Sequence, residues 1–189
     1  MVVVGAGGGG ARSKLGARGG WRGQSGSVGA ARSLVAGRSG LEIGGPSDID
    51  APYSLCAAYA MAATLDNCNF SRATVWEGAI AEGQTFVYHA GRAPGRQYIL
   101  EATQLAPIAD GRYDFLLASH TIEHVANPLR ALREWTRVVK AGGALILVVP
   151  HKEGTFDPRR AVTRLGSIVD EERKDTKEGD ITDVRDSRG

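Results

Sequence analysis

One stretch, Tyr113 to Pro150, constrains the fold more than any other part of the chain. Tyr113-Asp114-Phe115-Leu116-Leu117-Ala118 is a mostly apolar run, the pattern of a strand buried on both faces of a parallel sheet. Asn127 then supplies an N-cap and Pro128 the first helical position. Apolar residues recur at 129, 132, 135 and 138, one face of a helix. Lys140 falls in the expected last turn, and Gly142-Gly143 should end the helix. Ala144 to Val149 is a second apolar strand, closed by Pro150. Strand, crossover helix and strand form a βαβ unit, a right-handed connection in nearly every known case.

The preceding sequence repeats this alternation. Residues 30–36 form a short helix that should stop at Gly37, and Leu41-Glu42-Ile43 is a strand opening into Gly44-Gly45-Pro46-Ser47. A helix is expected over 55–63, a strand from Thr64 into the NCNF segment, and further strands at 85–88 and 98–101. The fold class is therefore α/β: a three-layer sandwich around a mostly parallel sheet. The predicted organisation is a glycine- and arginine-rich leader over 1–29, a nucleoside-binding domain over 30–160, and a charged tail over 161–189.

Charge and glycine separate these parts. Thirteen of the 26 glycines lie in the first forty residues, which carry five Arg and one Lys and no acid. The net +2 of the chain thus comes from its leader, while 41–150 is slightly acidic and carries no basic stripe, so no nucleic-acid partner is expected for the fold. Gly5, Gly7 and Gly10 formally complete a G-x-G-x-x-G. No helix-forming segment follows it and the first acid in the chain is Glu42, so it is not a dinucleotide fingerprint. No run of eighteen apolar residues is present, and MVVVGAGGGG lacks the charged start of a secretory signal. Cys56 and Cys68 form no CxxC. No membrane partner is expected, and a reducing, cytoplasmic setting is.

Ligands of open parallel sheets bind at the carboxyl ends of the strands. The residues expected there are Gly44-Gly45, then Asp66, Glu101-Ala102-Thr103, the run from Ser119 to His124, and His151. A Gly-Gly turn admits close approach of backbone to ligand. An acid after the next strand can accept both ribose hydroxyls. This set suits an adenosine-containing ligand, and the missing glycines argue against a pyrophosphate.

Glu42-Ile43-Gly44-Gly45, Asp66, YILEATQL and the segment from Tyr113 through RVVKAGG to Pro150 together resemble a class I S-adenosylmethionine-dependent methyltransferase of the type 11 kind. That resemblance implies a Rossmann-like fold and S-adenosyl-L-methionine as cofactor, with methyl transfer to a small-molecule acceptor. It implies cofactor contacts from Glu42, Gly44, Gly45, Asp66, Glu101, Ala102, Thr103, Ser119 and His120. His120 is the first candidate for a catalytic base and His151 the second, because imidazole titrates near neutral pH. Phe70, Trp76, Phe86 and Tyr88 offer an acceptor pocket or ordinary core. The chain departs from the family pattern at Pro46-Ser47, and after Pro150 it offers no sequence for the last two strands, so a truncated sheet with missing edge strands is expected.

Two alternatives stand beside this one. The first is a non-catalytic or incomplete Rossmann-like domain. The second is a zinc metallohydrolase, because His120-Thr121-Ile122-Glu123-His124 spells H-x-x-E-H. That chemistry needs a third ligand, for which Glu171 or Glu172 would be available, and an α-helix carrying both histidines. Asn127-Pro128 starts the helix only afterwards, so no metal site is expected.

Overall fold

The computed structural model describes residues 2–5, 32–47, 57–74, 78–150 and 163–174. In chain order the strands are β1 (Val2–Gly5), β2 (Ser39–Ile43), β3 (Thr64–Asn69), β4 (Ala73–Thr74), β5 (Gly78–Ala79), β6 (Gly83–Phe86), β7 (Gly95–Ile99), β8 (Tyr113–Ser119) and β9 (Val139–Val148). Helices are α1 (residues 32–35), α2 (Ala57–Met61), α3 (Pro128–Val138) and α4 (Leu165–Lys174). Among the described residues one sheet has the order β1-β9-β8-β2-β3-β7-β6, and β4 pairs with β5 separately.

The five strands β9, β8, β2, β3 and β7 run parallel. From β2 the chain steps outward through β3 to β7, then crosses to β8 on the other side of β2 and on to β9. Strand order thus reverses between β2 and β8, which opens a crevice at their carboxyl ends.

Side-chain alternation along the central strands builds two cores. On β8, Leu116 and Ala118 pack with Trp135 and Val138 of α3, whereas Phe115 and Leu117 pack with Val35 of α1 and Tyr59 of α2. Because both faces are covered, β8 and β9 read as nearly unbroken apolar sequence. Gly40 is fitted to this packing: a Cβ there would stand 2.1 Å from the Phe115 ring.

Helix α3 starts as the sequence requires, with Asn127 Oδ1 accepting from the Arg130 N–H at 3.0 Å and Pro128 in the first turn. Its buried positions are Ala131, Trp135 and Val138, with Leu132 packed against them. The expected end is corrected, since the helix stops at Val138 and Lys140, Gly142 and Gly143 belong to β9. Register shifts between Tyr113 and Phe115, so β9 enters the sheet through an irregular stretch. Gly142 there has φ +78°, and a Cβ on Gly143 would stand 2.6 Å from the Asp114 carbonyl. The two glycines therefore admit a close strand approach where a helix stop was expected.

Both ends of the sheet also differ from expectation. Val2–Gly5, placed in the leader by sequence, pairs antiparallel with β9, Val3 opposite Ile146. It covers the backbone of an apolar strand that would otherwise be an open edge. At the far side β6 pairs antiparallel with β7. The truncated sheet expected from the sequence is thus bordered by an antiparallel strand at each side. The remainder of 1–29 lies outside the described residues, as does much of 161–189. Within the latter span, α4 packs on α3, where Arg133 pairs with Glu172.

The loop from β7 to β8 is tied to α3 by Arg137. Its guanidinium donates to the carbonyls of Leu105 and Ile108 at 2.9 and 2.8 Å, to Asp110 at 2.6 Å, and in a fork to Glu134 at 2.9 and 2.8 Å. Arg137 holds the Glu134 carboxyl below its ordinary range, and Lys140 with the Ser39 N–H does the same for Asp114. A carboxylate more acidic in the folded state stabilises the fold above its unfolded pKa, and that contribution disappears as pH falls through its folded value. The urea midpoint should therefore drop as pH is lowered below about 4.5, the ordinary carboxylate range. Glu134→Gln should flatten that dependence; an unchanged slope in the variant would refute the assignment.

Candidate functional site

The crevice at the β2/β8 reversal is a small cleft. Ile43 and Gly44 end β2 on one side, and Cys68, Asn69 and Phe70 end β3. Leu100 and Ala102 follow β7, while Thr121 and Val125 follow β8. None of these lining residues is charged. Asn69 and Thr121 supply the side-chain oxygens, and burial pushes the Cys68 thiol up to about 12, so it too stays neutral. Phe70 is 71 % exposed and lines the cleft with an aromatic ring.

Thr121 closes the reversal point, its hydroxyl donating to the Ile43 carbonyl at 3.0 Å and lying 3.1 Å from the Ser119 carbonyl. Gly44 has φ +77° and donates its N–H to Cys68 O at 2.9 Å. A Cβ on Gly44 would stand 2.7 Å from Thr121 Oγ1, so glycine serves there both for conformation and for space. Trp135 Nε1–H donates to Ala102 O at 3.0 Å, fixing one cleft wall to α3.

Glu42 lies beneath the turn rather than in the cleft and is fully buried. Its Oε2 accepts from the Tyr59 hydroxyl at 2.5 Å, and its Oε1 from the Ser47 N–H at 3.1 Å and from the Ser47 hydroxyl. Burial, and then the adjacent Glu42 carboxylate, raise the Tyr59 phenol above its ordinary range, so Tyr59 remains a donor. Gly45 is buried above this group, and its carbonyl accepts from Asn67 Nδ2 at 3.1 Å and Asn69 Nδ2 at 2.8 Å. The glycine turn is thus latched from below by a carboxylate and from one side by two amides.

Asp66 is not at the cleft. It sits in the middle of β3 opposite Leu41, while β3 runs on to Asn69. Its carboxylate accepts from the Tyr113 hydroxyl at 2.7 Å and the Arg96 N–H at 2.7 Å, with Arg112 at 3.5 Å. Tyr113 is the first residue of β8, so this network joins the strands away from their carboxyl ends. Burial, the Tyr98 hydroxyl and Asp66 together push the Tyr113 phenol upward. Asp66 is thus not among the residues that line this cleft, and its carboxylate is engaged by Tyr113, Arg96 and Arg112. Asn69 and Phe70 take the strand-end position that sequence reading assigned to Asp66.

The other expected residues divide. Gly44 and Ala102 line the cleft. Glu101 lies beside Ala102 but bonds Thr103, whose hydroxyl donates to Glu101 Oε1 at 2.5 Å, and Thr103 is buried. Ser119 ends β8 behind Thr121. His120 has φ +52°, an uncommon backbone for a residue with a side chain, and its N–H is bonded to Val148 O at 2.9 Å. Its imidazole is exposed, with Nδ1 3.6 Å from Glu123 Oε1. His151 lies outside the described residues. Ile122–His124 forms a single 3₁₀ turn, not the α-helix a zinc-binding H-x-x-E-H requires. Among the described residues no group of His, Cys, Asp and Glu is placed to hold a metal ion. No helix of the described residues is long and apolar enough to cross a membrane.

Residues 58–147 match a family model described as a methyltransferase domain. That match includes Asn69, Phe70, Ala102 and Thr121 and begins after the glycine turn. An uncharacterized methyltransferase of Mycobacterium sp. strain JLS is 39 % identical over 61 residues, 31 % of this chain and 24 % of the relative. The chain thus spans about a quarter of the length of the curated relatives it matches. Among solved structures, a SAM-dependent methyltransferase of Aquifex aeolicus superposes with a TM-score of 0.43 at 16 % identity. The overlap covers 79 % of this chain and 77 % of that one. YcgJ of Bacillus subtilis gives 0.44 at 18 % identity, over 65 % and 50 %.

Proposed function

We propose that the cleft binds the adenosyl part of S-adenosyl-L-methionine and that the chain transfers the cofactor's methyl group to a small-molecule acceptor in the cytoplasm. The observation that carries this reading is the cleft itself: an uncharged, aromatic-rimmed crevice at the reversal of strand order. A phosphate would call for charge or several free N–H groups. A purine calls for an aromatic face on which to stack, which Phe70 offers here. The methyltransferase-domain match over 58–147, which takes in most of the cleft, supports the same class of chemistry.

Bound cofactor would supply an already activated methyl group on a sulfonium. The protein's part is then alignment and exclusion of water. The latched Gly44-Gly45 turn and Thr121 would fix the approach of the ligand, and Phe70 would cover the base. Where the acceptor carries a proton, His120 is the candidate to take it on Nε2. Glu123 Oε1 lies 3.6 Å from the other ring nitrogen, Nδ1. His151 remains the second candidate base. The absence of a basic stripe in 41–150 favours a small acceptor over a nucleic acid.

Calorimetry with S-adenosylmethionine and S-adenosylhomocysteine tests the reading. Phe70→Ala should weaken binding by about 1–3 kcal/mol, the usual worth of a base stacked on an aromatic ring. Asp66→Ala should lower stability but leave affinity per folded molecule unchanged, since Asp66 is turned away from the cleft. If the wild-type chain binds neither ligand, the non-catalytic domain becomes the better account.

A further inference from the structure

Strand β1 is attached to the sheet differently from its neighbours. Among the described residues Val2–Gly5 pairs with β9 and with no other strand, and it lies at the end of the strand order. No turn joins the two strands: residues 6–31, rich in glycine, separate Gly5 from α1, and β9 begins only at Val139. Ordering a residue costs about as much as one backbone hydrogen bond returns, so four paired residues leave a small surplus. A strand so held can leave while the rest of the sheet stands. Being covalently linked, it returns as an intramolecular event.

The edge it covers is apolar on both sides. Ala144, Leu145, Ile146 and Leu147, its partners on β9, are buried and alternate between the two cores. Without β1 their outward N–H and C=O groups would form an open edge, the kind that takes up an extended segment through backbone hydrogen bonds. The covered stretch also leads directly to the turn that carries His120. Val148, the next residue, ends β9, and its carbonyl accepts the His120 N–H at 2.9 Å. His120 holds φ +52°, a backbone that persists only where its surroundings fix it. A β9 end anchored on both sides, by β8 and by β1, supplies that fixation.

We propose that the outer edge of β9 is a strand-binding site, occupied reversibly by this chain's own Val2–Gly5, and that its occupancy fixes the His120 turn. The site fits an extended, uncharged segment running antiparallel to 144–147. Strand β1 is thereby a strap on the candidate site that acts through β9, although no residue of either strand lines the cleft.

Native-state hydrogen exchange on the full chain, followed by NMR at low urea, tests both halves. Along 144–147 alternate amides face β1 and the others face β8. In the unaltered chain the β1-facing amides should exchange at least about tenfold faster than the β8-facing ones, through an opening that urea barely affects. The His120 amide should share that opening. In the double variant Val3→Pro and Val4→Pro, one of the two prolines removes an N–H that faces β9, because neighbours alternate. The β1-facing amides and the His120 amide should then speed up together, by about tenfold or more. Equal, urea-sensitive exchange of all the 144–147 amides in the unaltered chain would overturn the inference, since β1 would leave only on global unfolding. So would β1-facing amides that the prolines leave unchanged. A His120 amide that exchanges with the β8-facing group would overturn the link to the turn. The measurements on the unaltered chain decide the matter even if the double variant fails to fold.

Discussion

Replacing Trp135 with alanine is expected to remove about 3–5 kcal/mol of folding stability, the usual cost of deleting a large buried aromatic side chain. That is a large share of the 5–15 kcal/mol typical of a single domain. Trp135 has no exposed surface and sits in the core between α3 and the sheet, alongside Leu116 and Leu145. Its indole N–H also holds the Ala102 carbonyl at 3.0 Å, so alanine leaves a cavity and frees one wall of the cleft. Urea unfolding followed by far-ultraviolet circular dichroism avoids losing the signal along with the indole. Trp135→Phe separates the two roles: it retains most of the packing and loses the hydrogen bond, worth about 1 kcal/mol. A loss below 1 kcal/mol for the alanine variant would show that α3 is not seated on the sheet in this way.

Gly45→Ala should damage the site more than any other single methyl group. The added carbon would fall 2.2 Å from Glu42 Oε2, inside a group that already receives Tyr59 and Ser47. Glu42 is buried and cannot swing to water, so the turn must move instead. Overpacking of this kind costs about 1–3 kcal/mol of stability. Displacement of the Gly45 carbonyl would also release both amides that hold it. Affinity for S-adenosylhomocysteine should fall along with the melting temperature. Glu42→Gln, of similar size, should be milder, because it retains an acceptor for the Ser47 N–H. A Gly45→Ala chain that binds like the wild type would show that the turn does not form the site.

Local sequence was enough for parts of the molecule whose physics is local. The N-cap of α3 needs only Asn127 and Pro128, and both act as their residue types require. The helix over 32–35 ends at Gly37, whose φ of +67° is the left-handed stop expected of that glycine. Gly44 directly follows β2 and Ala102 lies three residues after β7, and both line the cleft. Gly142-Gly143 misled, since the same pair that can stop a helix can also admit an irregular strand entry against Asp114. Of the aromatics read from sequence as an acceptor pocket or ordinary core, Phe70 lines the cleft, whereas Phe86 and Tyr88 are buried in the core. A clue to Phe70 lay in its position: it directly follows a polar strand end and precedes Ser71-Arg72.

By itself the sequence determined the class of fold: alternating strands and helices, parallel central strands buried on both faces, and a glycine turn after the first of them. These follow from side-chain period, caps and breakers, which act over a few residues. Only the tertiary structure decided where β3 ends and which of its side chains reach the cleft. Asp66 and Asn69 stand three residues apart on one strand, so they point to opposite faces. The strand's carboxyl end is set by its register with β2, Ile43 opposite Cys68. That register depends on long-range pairing and on burial of both faces, quantities absent from any local window. For the same reason Val2–Gly5 could be recognised as a strand only once β9 presented an edge for it to cover.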